Sequence, residues 1–197
     1  MKKWDFSPPA PSELGDHEVP LESTELEGKS IALLITGGIA SIKAPFIARL
    51  LRKHGADVMV YASGEALRYT TELALEWSSD NFVITELTAA AEHLFPFDCY
   101  LIAPATYNTI NKIAGGIADS VVTATIASAL GRMERENAKI LIAPTMHGSM
   151  HNSILTESLK KLDDLGAGII PPRDQYGKHN LPDDDVILEA VISALQE

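Results

Sequence analysis

Thr106, Asn108 and Thr109 follow directly on an apolar run in "LIAPATYNTINKIAGGIAD", residues 101–119. Hydroxyl and amide side chains at a strand-to-helix junction ordinarily cap the helix, but capping explains one such residue, not three. The others suit the polar edge of a ring-shaped ligand. A second junction, "TGGIASIK", sets Gly37 and Gly38 where backbone amides at a helix start can approach a phosphate or a flat ring, although a tight β–α turn would use the same glycines. In a third, "YASGEA", Ser63 and Gly64 at a helix start suit a phosphate better than a ribose diol. The third glycine of the dinucleotide fingerprint is missing, with Ser41 near its place, so the pattern points to a mononucleotide.

"APTMHGSMHNS" adds His147 and His151, four apart, and two methionines. That histidine spacing would place both imidazoles on one helical face. With no nearby third ligand, soft Met side chains against a flat aromatic ligand are the better reading than a metal pair. His93, in "TAAAEHLFPFD", precedes the strand "CYLIAP" and reads as lying near the ligand end of the sheet, with Glu92 and Asp98 placed to set its tautomer.

These junctions need a scaffold that brings them together. From Ser30 onward, short β-branched runs ("SIALLIT", "ADVMVYA", "FVITEL", "CYLIAPA", "KILIAPT", "AGIIPP") alternate with stretches of helical period. The strands are continuously apolar, as strands buried on both faces must be. The expectation is one α/β domain of doubly wound, three-layer Rossmann-like form, a parallel sheet with ligands beyond the strand carboxyl ends. "NTINKIAGGIADSVVTATIASALG" reads as one apolar helix. Gly115 and Gly116 in its middle, at about 1 kcal/mol each relative to Ala, would then mark a closely packed backbone or a neighbouring subunit. Residues 1–28, rich in Pro and Glu, read as an extended arm that Trp4 and Phe6 could anchor, and residues 29–197 as the domain.

The 197 residues carry a formal charge of −11 and no run of Lys or Arg, which argues against nucleic acid and anionic membranes and for a small-molecule partner. The one cysteine, Cys99, allows no intrachain disulfide and fits a cytoplasmic protein. No apolar stretch approaches the roughly 20 residues of a membrane helix, and the N-terminus lacks the apolar core of a signal peptide.

"TGGIASIK", "APATYNTINKIAGGIAD" and "APTMHGSM" resemble, in order and spacing, the homo-oligomeric flavin-containing cysteine decarboxylases, the phosphopantothenoylcysteine decarboxylases among them. "LEWSSDNFVITELTAAAEH" and "YGKHNLPDDD" are similar to the archaeal type, which is joined to a ligase in coenzyme A biosynthesis. The resemblance implies an FMN cofactor, trimers or dodecamers, and FMN-dependent oxidation of a cysteinyl thiol with loss of its carboxylate as CO2. It implies that Gly37, Gly38 and Ile39 lie over the FMN ring and ribityl chain, Ser63 at the phosphate side, Thr106, Tyr107, Asn108 and Thr109 along a second flavin segment, and Thr145 against the ring. It makes His93 the active-site histidine and His147 a carboxylate contact where the best-known decarboxylases carry Asn. "PPRDQYGKHNLP" stands where a mobile-loop cysteine completes the reduction in the coenzyme A enzymes. Alternatives are an FMN redox carrier, a flavin prenyltransferase relative, and a non-catalytic flavoprotein.

Overall fold

The computed structural model describes residues 4–196. Six parallel strands, β1 (Ser30–Ile35), β2 (Asp57–Ala62), β3 (Val83–Ile84), β4 (Cys99–Ala105), β5 (Lys139–Pro144) and β7 (Gly168–Ile169), form one sheet in the order β3-β2-β1-β4-β5-β7. The chain winds outward from β1 to β3, then returns to add β4 on the other side of β1. Strand order therefore reverses between β1 and β4, where a doubly wound sheet opens a crevice.

Both faces of the sheet are covered. In β1, Ile31, Leu33 and Ile35 join one core with residues of α1 (Ala44–Lys53), α2 (Glu72–Ser79) and α6 (Asp184–Gln196). Ala32 and Leu34 of the same strand join a second core with α3 (Tyr107–Ala114), α4 (Val121–Glu136) and α5 (Ser153–Asp164). An apolar run without alternation is what such double burial selects.

The single long helix expected across residues 108–131 is two helices, α3 and α4. Gly115 caps the end of α3 and Gly116 has φ +72°. The Gly116 amide donates to Ile113 O at 3.0 Å and the Ile117 amide to Lys112 O at 2.9 Å, a Schellman-type stop. A Cβ on Gly116 would meet nothing within 4 Å, so this glycine serves left-handed backbone and not close packing. Ser120 then opens α4 with a reciprocal capping box to Thr123.

A second sheet joins the first at the cleft. β6 (Met146–His147) pairs antiparallel with β9 (Lys178–Asn180), which pairs with β8 (Arg173–Gln175). Tyr176 and Gly177, at φ +56° and +67°, make the two-residue turn of this hairpin. Of the N-terminal arm, Trp4 and Phe6 are exposed and stack on each other, centroids 4.8 Å apart. Its later part docks on α1: Arg52 donates to His17 O, Lys53 pairs with Glu22 at 2.8 Å, and Leu26 is fully buried in the core. Among the described residues no helix is long and apolar enough to cross a membrane.

Candidate functional site

At the carboxyl ends of β1, β2, β4 and β5 the chain leaves a cleft of about 1010 Å3. Thr36, buried at the end of β1, sets its floor: its hydroxyl donates to Pro104 O at 2.7 Å and accepts from the Thr106 amide at 3.1 Å. One hydroxyl thus joins the two strands between which the order reverses. Nothing in the sequence pattern singled Thr36 out from an ordinary strand-end threonine.

The strands β1 and β4 lead directly into helices at this cleft, and α4 starts there after the turn that ends α3. Thr106 caps α3 by accepting from the Thr109 amide, and Ser120 caps α4. Gly38 begins the helical run from Ile39 through Lys53 with no side-chain cap, which leaves its first-turn amides free of a side-chain acceptor. Gly38, Thr106 and Ser120 all line the cleft. Three helix starts in one crevice, each the positive end of a helix dipole, suit an anionic ligand.

The glycines divide in role. A Cβ on Gly37 would stand 2.4 Å from Glu65 Cβ, so Gly37 lets the first and second loops touch. A Cβ on Gly38 would have only Thr106 Cγ2 near it, at 3.7 Å, and would project into the crevice between the β1 and β4 loops. That space fits a ring or chain laid against the backbone.

Gly37, Gly38, Ile39, Ser63, Thr106, Tyr107, Asn108, Thr109, Thr145 and His147 all line this one cleft. Their surroundings differ. Asn108 is exposed at the first turn of α3, whereas Thr109 is buried and bonded to Thr106. Ser63 Oγ accepts from the Ala66 amide at 3.2 Å, and the Thr145 amide is fixed on Ala105 O at 2.9 Å. His147 Nδ1 accepts from the Ser149 amide at 3.2 Å. Neutral His147 therefore carries its proton on Nε2, ready to donate without gaining charge. Only a 3-10 turn, Gly148–Met150, separates the two histidines, and both flank it in extended conformation, so no α-helical face carries them; His151 bonds His179 instead.

His93 is not part of the cleft lining. The connection runs from the carboxyl end of β3 to the amino end of β4, and within its own chain it leaves His93 outside the cleft. Its 3-10 turn, Glu92–Leu94, packs on α4, and Arg132 donates to Leu94 O at 2.8 Å. Arg132 lies ten residues beyond the cleft-lining Val122, roughly 15 Å along a helix. Buried tyrosines pin the segment: Tyr61 donates to Glu92 O at 2.7 Å and Tyr100 to Phe95 O at 3.0 Å. Burial raises the Tyr61 hydroxyl pKa above its ordinary range. His93 Nδ1 is buried with no hydrogen-bond partner among the described residues. Cys99, at the start of β4, is at the opposite end of the sheet, its thiol pushed up to about 12 by burial.

The stretch "PPRDQYGKHNLP", which the resemblance set at a mobile loop without naming site residues in it, forms the cleft's other wall. Arg173, Lys178, His179 and Asn180 of the hairpin line it, with Asp183 and Asp184 at the start of α6. Exposed polar strands of three residues carry no hydrophobic period to reveal them.

Strand order and cleft define a doubly wound α/β protein with its cleft where the order reverses. The chain belongs to the flavoprotein family, whose profile matches residues 20–196. It is 37% identical over 182 residues to the coenzyme A biosynthesis bifunctional protein CoaBC of Thermococcus kodakarensis, covering 88% of this chain and 44% of that protein. It is 35% identical over 179 residues to the CoaBC of Methanocaldococcus jannaschii, covering 88% and 43%. The chain thus spans less than half the length of these relatives. In fold it is similar to a PPC decarboxylase mutant complexed with pantothenoylaminoethenethiol (TM-score 0.70, 24% identity, 86% and 99% of the two chains covered). It is similar also to the FMN-dependent cysteine decarboxylase SpaF (TM-score 0.73, 22% identity, 88% and 97%).

Proposed function

We propose that the cleft holds FMN and that the protein is an FMN-dependent decarboxylase of a cysteinyl substrate such as 4′-phosphopantothenoylcysteine. The observation that carries this reading is the convergence of an uncapped helix start at Gly38, the capped starts at Thr106 and Ser120, and a donor-oriented His147 in one cleft. The archaeal CoaBC relatives support the substrate class.

In this reading Gly37, Gly38 and Ile39 lie against the flavin ring and ribityl chain, Ser63 serves the phosphate, Thr106, Tyr107, Asn108 and Thr109 take the second flavin edge, and Thr145 meets the ring from its own loop. Bound FMN would withdraw two electrons from the substrate thiol, leaving a thioaldehyde able to accept the electron pair released as the neighbouring carboxylate departs as CO2. His147 donates its Nε2 proton in a hydrogen bond to that carboxylate and orients it, without giving the proton up. The hairpin bounds the substrate's side of the cleft.

His93 serves as acid–base group only if it reaches the cleft of another copy, in a trimer or dodecamer. Its unpartnered Nδ1 supports this, as do the exposed apolar side chains at the cleft mouth, Ile39 at 69% and Ile42 at 46%.

The test is the visible spectrum of the purified protein, followed by CO2 release from 4′-phosphopantothenoylcysteine. A yellow protein that releases CO2 bears the reading out. A yellow protein that releases none is a flavin carrier, and a colourless one that takes up no added FMN overturns the whole reading.

A further inference from the structure

We propose that Lys178 is the cationic anchor for the substrate carboxylate, acting beside His147, a role that rests on the decarboxylase reading and adds to it a residue outside the flavin side of the cleft. Register puts the two side chains together. β6 and β9 pair so that His147 stands opposite Lys178 and Met146 opposite His179. Residues directly opposite on an antiparallel pair project from the same face. Met146 is buried in the second core, so the period of two turns His147 and Lys178 to the other face, where both are exposed and line the cleft.

Their pairing is of the closer kind. The Gly148 amide donates to Gly177 O at 2.9 Å, which makes 148 and 177 a hydrogen-bonded position. His147 and Lys178, one step along, then form a non-hydrogen-bonded pair, with Cα atoms about 4.5 Å apart and side chains at their nearest. A Cβ on Gly148 would collide with Gly177 O, so this register needs the glycine.

Charge singles Lys178 out among the cleft's cations. Lys112 is paired with Asp119 at 2.6 Å and Arg173 with Asp183 at 3.2 Å. Lys43 lies over the Phe46 ring, its Nζ 5.9 Å from the centroid. Lys178 forms no ion pair among the described residues, and Asp174, the carboxylate of its own hairpin, bonds His179 instead.

A carboxylate accepts through two oxygens. His147, held by the Ser149 amide with its proton on Nε2, supplies a neutral donor to one of them. The Lys178 ammonium supplies a charged donor to the other, and with it the attraction for an anion that a neutral imidazole lacks. As the carbon–carbon bond breaks, its electron pair enters the thioaldehyde and the carboxylate loses its charge to become CO2. Lys178 therefore holds the substrate more strongly than the transition state and orients the carboxylate without supplying a proton.

Calorimetric titration of the FMN-loaded full chain tests this with two ligands that do not react. One is 4′-phosphopantothenoylserine, which keeps the carboxylate and carries a hydroxyl in place of the thiol; the other is the same molecule without its carboxylate. Lys178→Met should weaken the first by roughly tenfold or more and the second by less than about twofold, and Lys178→Arg should restore most of the loss. In turnover of 4′-phosphopantothenoylcysteine, Lys178→Met should raise KM by a larger factor than it lowers kcat. Flavin absorbance and thermal unfolding on the same samples establish that each variant is loaded and folded. Unchanged binding of the serine ligand, or equal weakening of both ligands, overturns the proposal, the second because it would place Lys178 on the phosphate or in the scaffold. A wild-type protein that binds neither ligand and releases no CO2 is a different failure, of the decarboxylase reading itself, and takes this role with it.

Discussion

Two stretches carry polar phrases beside the same strand, β4: the 88–97 connection before it and the Thr106–Thr109 junction after it. Only the second opens on the cleft. The junction leaves the carboxyl end of a parallel strand, where the fold itself collects loops. The connection enters at the amino end and is held by Tyr61, Tyr100 and Arg132 against α4. Position relative to strand direction, more than residue type, decides which histidine lines its own chain's cleft.

The sharpest way to break this contrast is His93→Asn. If another copy's cleft receives His93, decarboxylation falls by roughly 10²–10⁴-fold, the contribution of a positioned acid–base group, while the protein keeps its FMN. Unchanged turnover would make His93 structural and leave the connection outside function.

On the other side of the contrast, Asn108→Ala should weaken FMN binding by about 1–3 kcal/mol, since a polar flavin edge would be left unpaired. Titration of the apoprotein with FMN measures it, and an unaltered Kd moves the flavin away from α3. Thr36→Val leaves the Thr106 amide without its acceptor and should cost about 1–3 kcal/mol in denaturant unfolding, a loss absent if Thr36 only fills space. The smallest expected effect belongs to Gly116→Ala, about 1 kcal/mol from forcing alanine to φ +72°. A neutral or stabilising result would contradict the helix stop.

The doubly wound sheet was legible because strands buried on both faces need unbroken apolar runs such as "SIALLI" and "CYLIAPA". The residues that line the cleft were legible because their polar and glycine signals sit at strand ends. Three features escaped. The α3–α4 break was hidden since the apolar helical pattern resumes after the turn, so a glycine stop read as a mid-helix pair. The β8–β9 hairpin has no buried face to impose alternation. That His93 lies outside its own chain's cleft was not legible, because the order of segments along the chain does not by itself say where in a crossover a residue stands.

The central claim, that the crevice between the β1 and β4 loops holds FMN, is tested most directly by Gly38→Val. Gly38 has φ 164°, an extended backbone that valine adopts freely, and its new side chain would project into the crevice beside Thr106. FMN titration followed by flavin absorbance, with thermal unfolding on the same samples, should show wild type binding one FMN per chain and the variant folded with wild-type Tm but without flavin. A folded Gly38→Val protein that binds FMN as tightly as wild type would contradict the account.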